Sequence, residues 1–242
     1  SSGFDSTLVA LFSAINDITA ITIGFQSSEK DMELEDSSEI CKKLRIKSSQ
    51  KLFSDSEVMD SFKNYLKNID VPTTDGFNVY LISRMANKYG FKVALSGIGG
   101  DEILGSYPSF KQIPIILKYK RIIDFLINFG LSSSLLKLFL PKSINFAKLK
   151  KISSIKNNII DVYKFKRSFM TDDELFENID EKTINNFKNI DNELIKIPDD
   201  LLKSKNKFLI ISYLESVFYL RSQLLRDADN FSMSNSVELR TP

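Results

Sequence analysis

The sequence predicts an α/β fold, a doubly wound parallel sheet followed by a mainly helical C-terminal part. Three observations carry this. Residues 1–7 (SSGFDST) form a Ser/Gly turn that runs into a helical pattern, residues 20–25 (AITIGF) are an apolar, β-branched strand-type run, and Val93 to Leu95 lead into a loop holding Gly97, Gly99 and Gly100. Turn, helix and parallel strand in this order open a doubly wound sheet, whose first strand is expected before Ser1 and so outside these residues.

Taken in order, Leu8, Val9, Leu11, Phe12 and Ile15 recur at helical spacing, and the 20–25 strand follows. Residues 33–44 read as a helix, 45–47 as a short strand, and 54–68 as a helix with Val58, Phe62, Tyr65 and Leu66 on one face. The Pro and Gly of residues 71–76 (VPTTDG) mark a loop, and a helix over 79–88 follows, with Gly90 as its C-cap. After Pro108 no further strand is expected; helical periodicity runs over 113–129, 131–140, 155–169, 172–187 and 207–226. In the last of these, Leu209, Tyr213, Val217, Leu220 and Leu224 form a stripe read as core.

Composition excludes several function classes. Thirty-three basic residues nearly balance thirty-one acidic ones, which argues against a nucleic-acid footprint and leaves Lys203, Lys205 and Lys207 as solvated helix positions. With no histidine and one cysteine, Cys41, the chain can build neither a Ser-His-Asp triad nor a Cys/His zinc site. Cys41 reads as a small buried hydrophobe, and a single thiol fits a cytoplasmic location. The most apolar stretch, 113–140, is broken by Lys118, Lys120, Arg121 and Asp124. A bilayer span needs about 20 mostly apolar residues, so none is expected.

The chemistry gathers at the two glycine-bearing turns. A helix N-terminus presents unpaired N–H groups and the positive end of the helix dipole, so residues 1–7 suit an anion, with Ser1, Ser2, Ser6 and Thr7 as hydroxyl donors. Asp5 would repel a phosphate unless a divalent cation lay between them; its alternative reading is an N-cap. The second loop, beside Asp101 and Glu102, can aim backbone amides at an anion while a carboxylate holds a cation. In open α/β sheets both loops lie beyond the strands' carboxyl ends, where ligands gather. A nucleotide with Mg2+ meets both demands. Near the C-terminus Arg226, Asp227, Asp229, Glu238 and Arg240 crowd the end of an apolar element, more charge than caps and surface pairs require.

SSGFDST, LSGIGGDEILGSY and LLRDADNFSMSNSVELRTP, in that order, together resemble the ATP-dependent synthetase domain of glutamine-hydrolysing asparagine synthetases, a branch of the pyrophosphate-loop ATPases. The resemblance implies ATP-dependent activation of the aspartate side chain as an acyl-adenylate, then displacement of AMP by ammonia derived from glutamine. By position it implies that Ser1, Ser2, Gly3, Asp5 and Ser6 hold pyrophosphate and that Ile23, Gly24, Ser96 and Gly97 line the ATP site. Asp5 and Asp101 are its catalytic, Mg2+-holding carboxylates, and Glu102, Arg226, Asp229, Glu238 and Arg240 are candidates on the substrate side. It also implies a glutaminase domain on the full-length chain and a homodimer, with no nucleic acid and no membrane.

The expected division is an ATP-binding core over residues 1–110 and a helical remainder over 111–242, closing on the motif at 220–242. Three positions depart from the family pattern. Ser2 replaces a glycine, Ile98 stands where a glutamate associated with adenylate formation is expected, and residues 73–76 (TTDG) lack an expected arginine. Ile98 and TTDG lie where the acceptor would sit, so another carboxylate, a sugar acid, a peptide or a β-lactam-type precursor, is the alternative acceptor.

Overall fold

The computed structural model describes residues 2–26, 32–128, 155–168, 179–180, 182–185 and 197–241. They fall into two compact units, one formed by residues 1–104 with 216–242 and the other by 105–215. The helices expected over 131–140 and 172–187 lie wholly or largely outside the described residues.

The first unit is mixed α/β. Its elements are α1 (Phe4–Ser13), β1 (Thr19–Phe25), α2 (Met32–Leu44), β2 (Lys47–Phe53), α3 (Asp55–Leu66), α4 (Gly76–Lys88), β3 (Val93–Leu95) and α5 (Gly100–Leu104). β1 and β2 are parallel with Thr19 opposite Lys47 and Phe25 opposite Phe53. A second parallel pair is made by β3 and a late strand, β4 (Glu238–Arg240), with Val93 opposite Glu238.

Two strand expectations and one helical one are corrected here. The short strand expected at 45–47 is the seven-residue β2, and a strand does follow Pro108. Neither KSSQKLF nor ELR carries an apolar strand signature; each is extended because a neighbouring strand supplies its ladder partner. The helical stripe of Leu8 to Ile15 is also shorter than expected. α1 ends at Ser13, buries no residue, and leaves Phe12 76% and Ile15 91% exposed.

Local signals fix several ends. α2 stops at Arg45, whose φ of 58° is left-handed, and the C-cap of α4 is Tyr89, with Gly90, expected as the cap, one residue beyond it at φ 80°. Ser54 caps α3 in a reciprocal box: its hydroxyl accepts the Glu57 N–H, and Glu57 Oε2 accepts the Ser54 N–H at 2.9 Å. The Lys51 ammonium, 2.7 Å from Glu57 Oε1, and then the Ser54 amide lower the Glu57 carboxyl to about 2. That contribution is present above the ordinary glutamate value of 4.5 and is lost as pH falls toward 2. Ser54→Ala is expected to lower stability by about 1 kcal/mol, read as a shift of the urea midpoint.

The core of this unit is Phe53, Tyr65, Tyr80, Leu81 and Phe231. Phe231 belongs to α10 (Leu225–Met233), and its ring lies 4.7 Å from that of Tyr65. Of the α3 face, Tyr65 is buried, while Phe62 and Leu66 are exposed. Cys41 is buried as expected.

The second unit is helical where described: α6 (Pro108–Asn128), α7 (Ile159–Arg167), α8 (Asp199–Lys203) and α9 (Lys207–Leu214). Ile113, Ile116, Val162, Tyr163, Ile211 and Leu214 are buried here. Glu215 is fully buried and compensated: Arg167 Nη2 lies 2.7 Å from Oε2, Tyr163 donates to Oε2 at 3.1 Å, and Ser109 donates to Oε1. Burial and this carboxylate push the Tyr163 phenol well up.

The expected core stripe from Leu209 to Leu224 is not what is buried. Leu209 is 46% exposed, and the buried face of α9 is Ile210, Ile211 and Leu214. From Glu215 to Leu224 the chain is a π-helix, whose wider turn breaks the 3.6-residue phase on which the stripe rests. Lys203, Lys205 and Lys207 are exposed, as expected. Among the described residues no helix is long and apolar enough to cross a membrane.

Candidate active site

The site is built where α1 begins. Gly3 is its N-cap, with φ −60° and ψ 150°, and no side-chain cap bond is made there. A first turn without a side-chain cap keeps its outward N–H groups and its share of the dipole for an anion. Asp5 lies inside that first turn, so it does not play the N-cap part.

The loop after β3 closes directly on this turn. A Cβ on Gly97 would stand 2.8 Å from the carbonyl carbon of Asp5 and from the Ser6 nitrogen, and one on Gly100 would overlap the Asp5 carboxyl group. Only glycine permits this approach, and it delivers α5, with Asp101, to Asp5. Burial, then the Asp101 charge, then a hydrogen bond shared with Asp101 raise the Asp5 carboxyl above its ordinary value. Asp5 Oδ1 is buried with no hydrogen-bond partner. Paired carboxylates with an unsatisfied buried oxygen are stabilised by a shared proton or a cation.

That donor set fits Mg2+, which is commonly held by one or two carboxylates together with substrate phosphates. Among the described residues no group of three or more His, Cys, Asp or Glu could hold a metal. The pair would therefore need phosphate oxygens and water to complete the shell.

Ser6, Ile23, Ser96 and Ile98 share one cavity of about 700 Å3. Asp5, Gly97, Gly100 and Arg240 line another of about 690 Å3, to which Ile98 also contributes. Ser96 is fixed between them, its N–H donating to the Arg240 carbonyl at 2.9 Å and its Oγ accepting the Ile98 N–H at 3.3 Å. Gly24 sits near the end of β1 opposite Leu52, Ser2 is half-buried, and Ser1 lies outside the described residues.

The substrate-side candidates separate. Glu102 is fully buried in α5, and Arg240 lines the cavity that holds Asp5. Arg226 Nη2 is 3.0 Å from Oδ1 of the buried Asp227. Asp229 and Glu238 are exposed and line neither cavity. Arg240 Nε bonds Glu238 Oε1 at 2.9 Å, which lowers the Glu238 carboxyl and raises the guanidinium.

One polar cluster was not legible as a site. Asp75 Oδ2 accepts the Tyr219 hydroxyl at 2.9 Å and Gln223 Nε2 at 2.8 Å, while Thr73 donates to Asp227. In sequence the TTDG composition announces only a loop, and its partners lie more than 140 positions away.

The sequence model of the asparagine synthase family matches residues 1–242. A Methanocaldococcus jannaschii protein provisionally named asparagine synthetase 1, glutamine-hydrolysing, is 33% identical over 118 residues, covering 47% of this chain and 21% of that protein. Asparagine synthetase 1, glutamine-hydrolysing, of Bacillus subtilis is 24% identical over 235 residues, 93% of this chain and 34% of its own. The matches thus span about a fifth and a third of those relatives. With the match running the whole length, the glycine loop closed on the α1 turn, and parallel strands and a helical part among its elements, this chain belongs to the asparagine synthase family and has its adenine nucleotide α-hydrolase fold.

Proposed function

We propose that this chain carries the ATP-dependent half of an amide-forming ligase, which converts aspartate and glutamine-derived ammonia to asparagine with release of AMP and pyrophosphate. Family membership supports ATP-dependent amidation as the class of reaction. The observation that carries the reading is the carboxylate pair Asp5 and Asp101, pressed by Gly97 and Gly100 against an uncapped helix start.

In the reaction a carboxylate oxygen of the acceptor attacks the α-phosphorus of ATP and the α–β bridging bond breaks, releasing pyrophosphate. The ammonia nitrogen then attacks the acyl carbon, the C–O bond to AMP breaks, and the nitrogen sheds a proton. The α1 start and the loop from Gly97 to Gly100 bind and orient the phosphates. Ser6 supplies a hydroxyl, and Ser96, fixed by Arg240 and Ile98, orders the wall beside them. Mg2+, when bound by Asp5 and Asp101, supplies charge neutralisation on the leaving pyrophosphate. The glutamine-hydrolysing function belongs to a further domain of the full-length chain.

A second reading has its own observation. Ile98 lines the cavities without a hydrogen-bonding side chain, and the TTDG loop offers a carboxylate, Asp75, already held by Tyr219 and Gln223. Both features suit an acceptor other than aspartate. Pyrophosphate release by the full-length protein with ATP, Mg2+ and ammonium decides between them. Aspartate-dependent release with asparagine formed is the expected result. Nucleotide binding without any response to aspartate would move the assignment to another carboxylate.

A further inference from the structure

Asp75 is the N-cap of α4, yet its carboxylate makes no capping bond. An aspartate in that position ordinarily accepts the N–H of the second or third helical residue. Here the Thr73 hydroxyl oxygen accepts the Asp75 and Gly76 N–H groups, at 3.2 and 3.4 Å, and the Asp75 carboxylate is turned to the π-helix instead. Its Oδ2 takes the Gln223 amide at 2.8 Å, the Tyr219 hydroxyl at 2.9 Å and the Thr74 hydroxyl at 3.1 Å. All three donors are neutral. Among the described residues Oδ1 accepts no hydrogen bond, and no Lys or Arg forms an ion pair with Asp75.

The charge around it is not balanced locally. Thr73 ties Asp75 to a second carboxylate, the buried Asp227, whose Oδ1 takes the Arg226 guanidinium at 3.0 Å. Two carboxylates thus share one cation. Burial, then the charges of Asp227 and Asp75, push the Tyr65 phenol up, so their field reaches beyond Arg226. The loop is held in place as well, because the Phe231 ring occupies the space that a Cβ on Gly76 would take.

Its place in the fold is that of the proposed site. α4 turns back at Gly90 into β3, and a helix leading into a parallel strand starts at that strand's carboxyl edge, where Gly97 and Asp5 meet. Tyr219 and Gln223 flank Leu220, which lines the cavity with Asp5 and would lie 3.7 Å from a Cβ on Gly99. A carboxylate fixed through one oxygen, open at the other and short of a cation is a receptor for an ammonium group. A hydroxyl could bond Oδ1 but would leave the charge in place.

We infer that Asp75 Oδ1 receives an ammonium group of the acceptor, so that the carboxylate activated here belongs to a molecule bearing a free amine. This rests on the reading that the chain activates a carboxylate, and it narrows both acceptor classes. Aspartate, an amino-sugar acid or a peptide with a free amine qualifies; a sugar acid without an amine does not.

The test is calorimetric titration of the full-length protein, loaded with Mg2+ and a non-hydrolysable ATP analogue, with acids paired by the presence of an amine. The pairs are aspartate against succinate and 2-amino-2-deoxygalacturonate against galacturonate. In at least one pair the amine-bearing acid is expected to bind about 30-fold more tightly, the effect of one charge-assisted hydrogen bond. Asp75→Asn is expected to erase that preference and to keep the affinity for the nucleotide. Tyr219→Phe, which loosens the carboxylate without removing it, is expected to weaken the preference about 3-fold. Equal affinity within both pairs, binding of the amine-free acids alone, no binding of any acid, or a preference that survives Asp75→Asn would overturn the inference. Pyrophosphate release with ATP and ammonium, followed in parallel, tests the ligase reading separately. An Asp75-dependent preference without release by any acid would sink that reading and leave the ammonium site standing.

Discussion

Asp5→Asn is expected to abolish the stabilisation that Mg2+ and ATP together confer. A ligand at about 100 times its Kd adds about 2.7 kcal/mol to the native state. In a chain of this size that raises Tm by about 5–10 °C, and the Asn variant should show almost none of it. Without ligand the ordering reverses. Asp5 is raised by burial and by Asp101, so ionising it opposes folding. Its contribution is fully present below the ordinary value of 3.8 and is lost as pH rises through the higher folded value. At neutral pH the ligand-free Asn variant should therefore be as stable as the parent chain or more so, and its stability should change less across that acid range. Thermal melts at pH 4 and pH 7.5, with and without Mg2+ and ATP, read all of this. A Mg2+-dependent shift that persists in Asp5→Asn would remove Asp5 from the metal site.

Gly97→Ala is expected to damage both the stability of the first unit and its binding of nucleotide. Its Cβ would meet the Asp5 carbonyl carbon and the Ser6 nitrogen at 2.8 Å, and both are backbone atoms of α1 that cannot rotate away. The loop and the helix start must part, at an overpacking cost of about 1–3 kcal/mol. On the proposed function phosphate binding depends on their closeness, so ATP affinity should fall by about 100-fold, roughly the loss of two charge-assisted hydrogen bonds. Gly90→Ala is the control. Nothing lies within 4 Å of its Cβ, but its φ of 80° strains any other residue, so it should cost about 1 kcal/mol without altering ATP affinity. Calorimetric titration with MgATP beside urea unfolding separates the two effects. If Gly97→Ala lowers stability and leaves affinity intact, the loop supports α1 and does not bind the nucleotide.

What the sequence determined by itself was local chemistry. The glycines of 97–100, the turn before α1, the apolar run of β1 and Gly90 after α4 each owe their form to a backbone or side-chain property that neighbours in the chain already express. The order of the three motifs was legible for the same reason. Tertiary structure alone decided the rest. β2 and β4 are strands because β1 and β3 offer them a ladder, which KSSQKLF and ELR do not announce. The core stripe expected through Leu209 and Leu224 dissolves because packing turns Ile210, Ile211 and Leu214 of α9 inward, and a π-helix from Glu215 then shifts the phase that periodicity assumes. Asp75 acquires Tyr219 and Gln223, and Thr73 acquires Asp227, only when distant segments are folded together. Asp5 shows the division within a single residue. Its type and its place in a helix's first turn are written in the sequence, whereas its raised pKa and its unsatisfied oxygen come from the loop that Gly97 and Gly100 allow to close upon it.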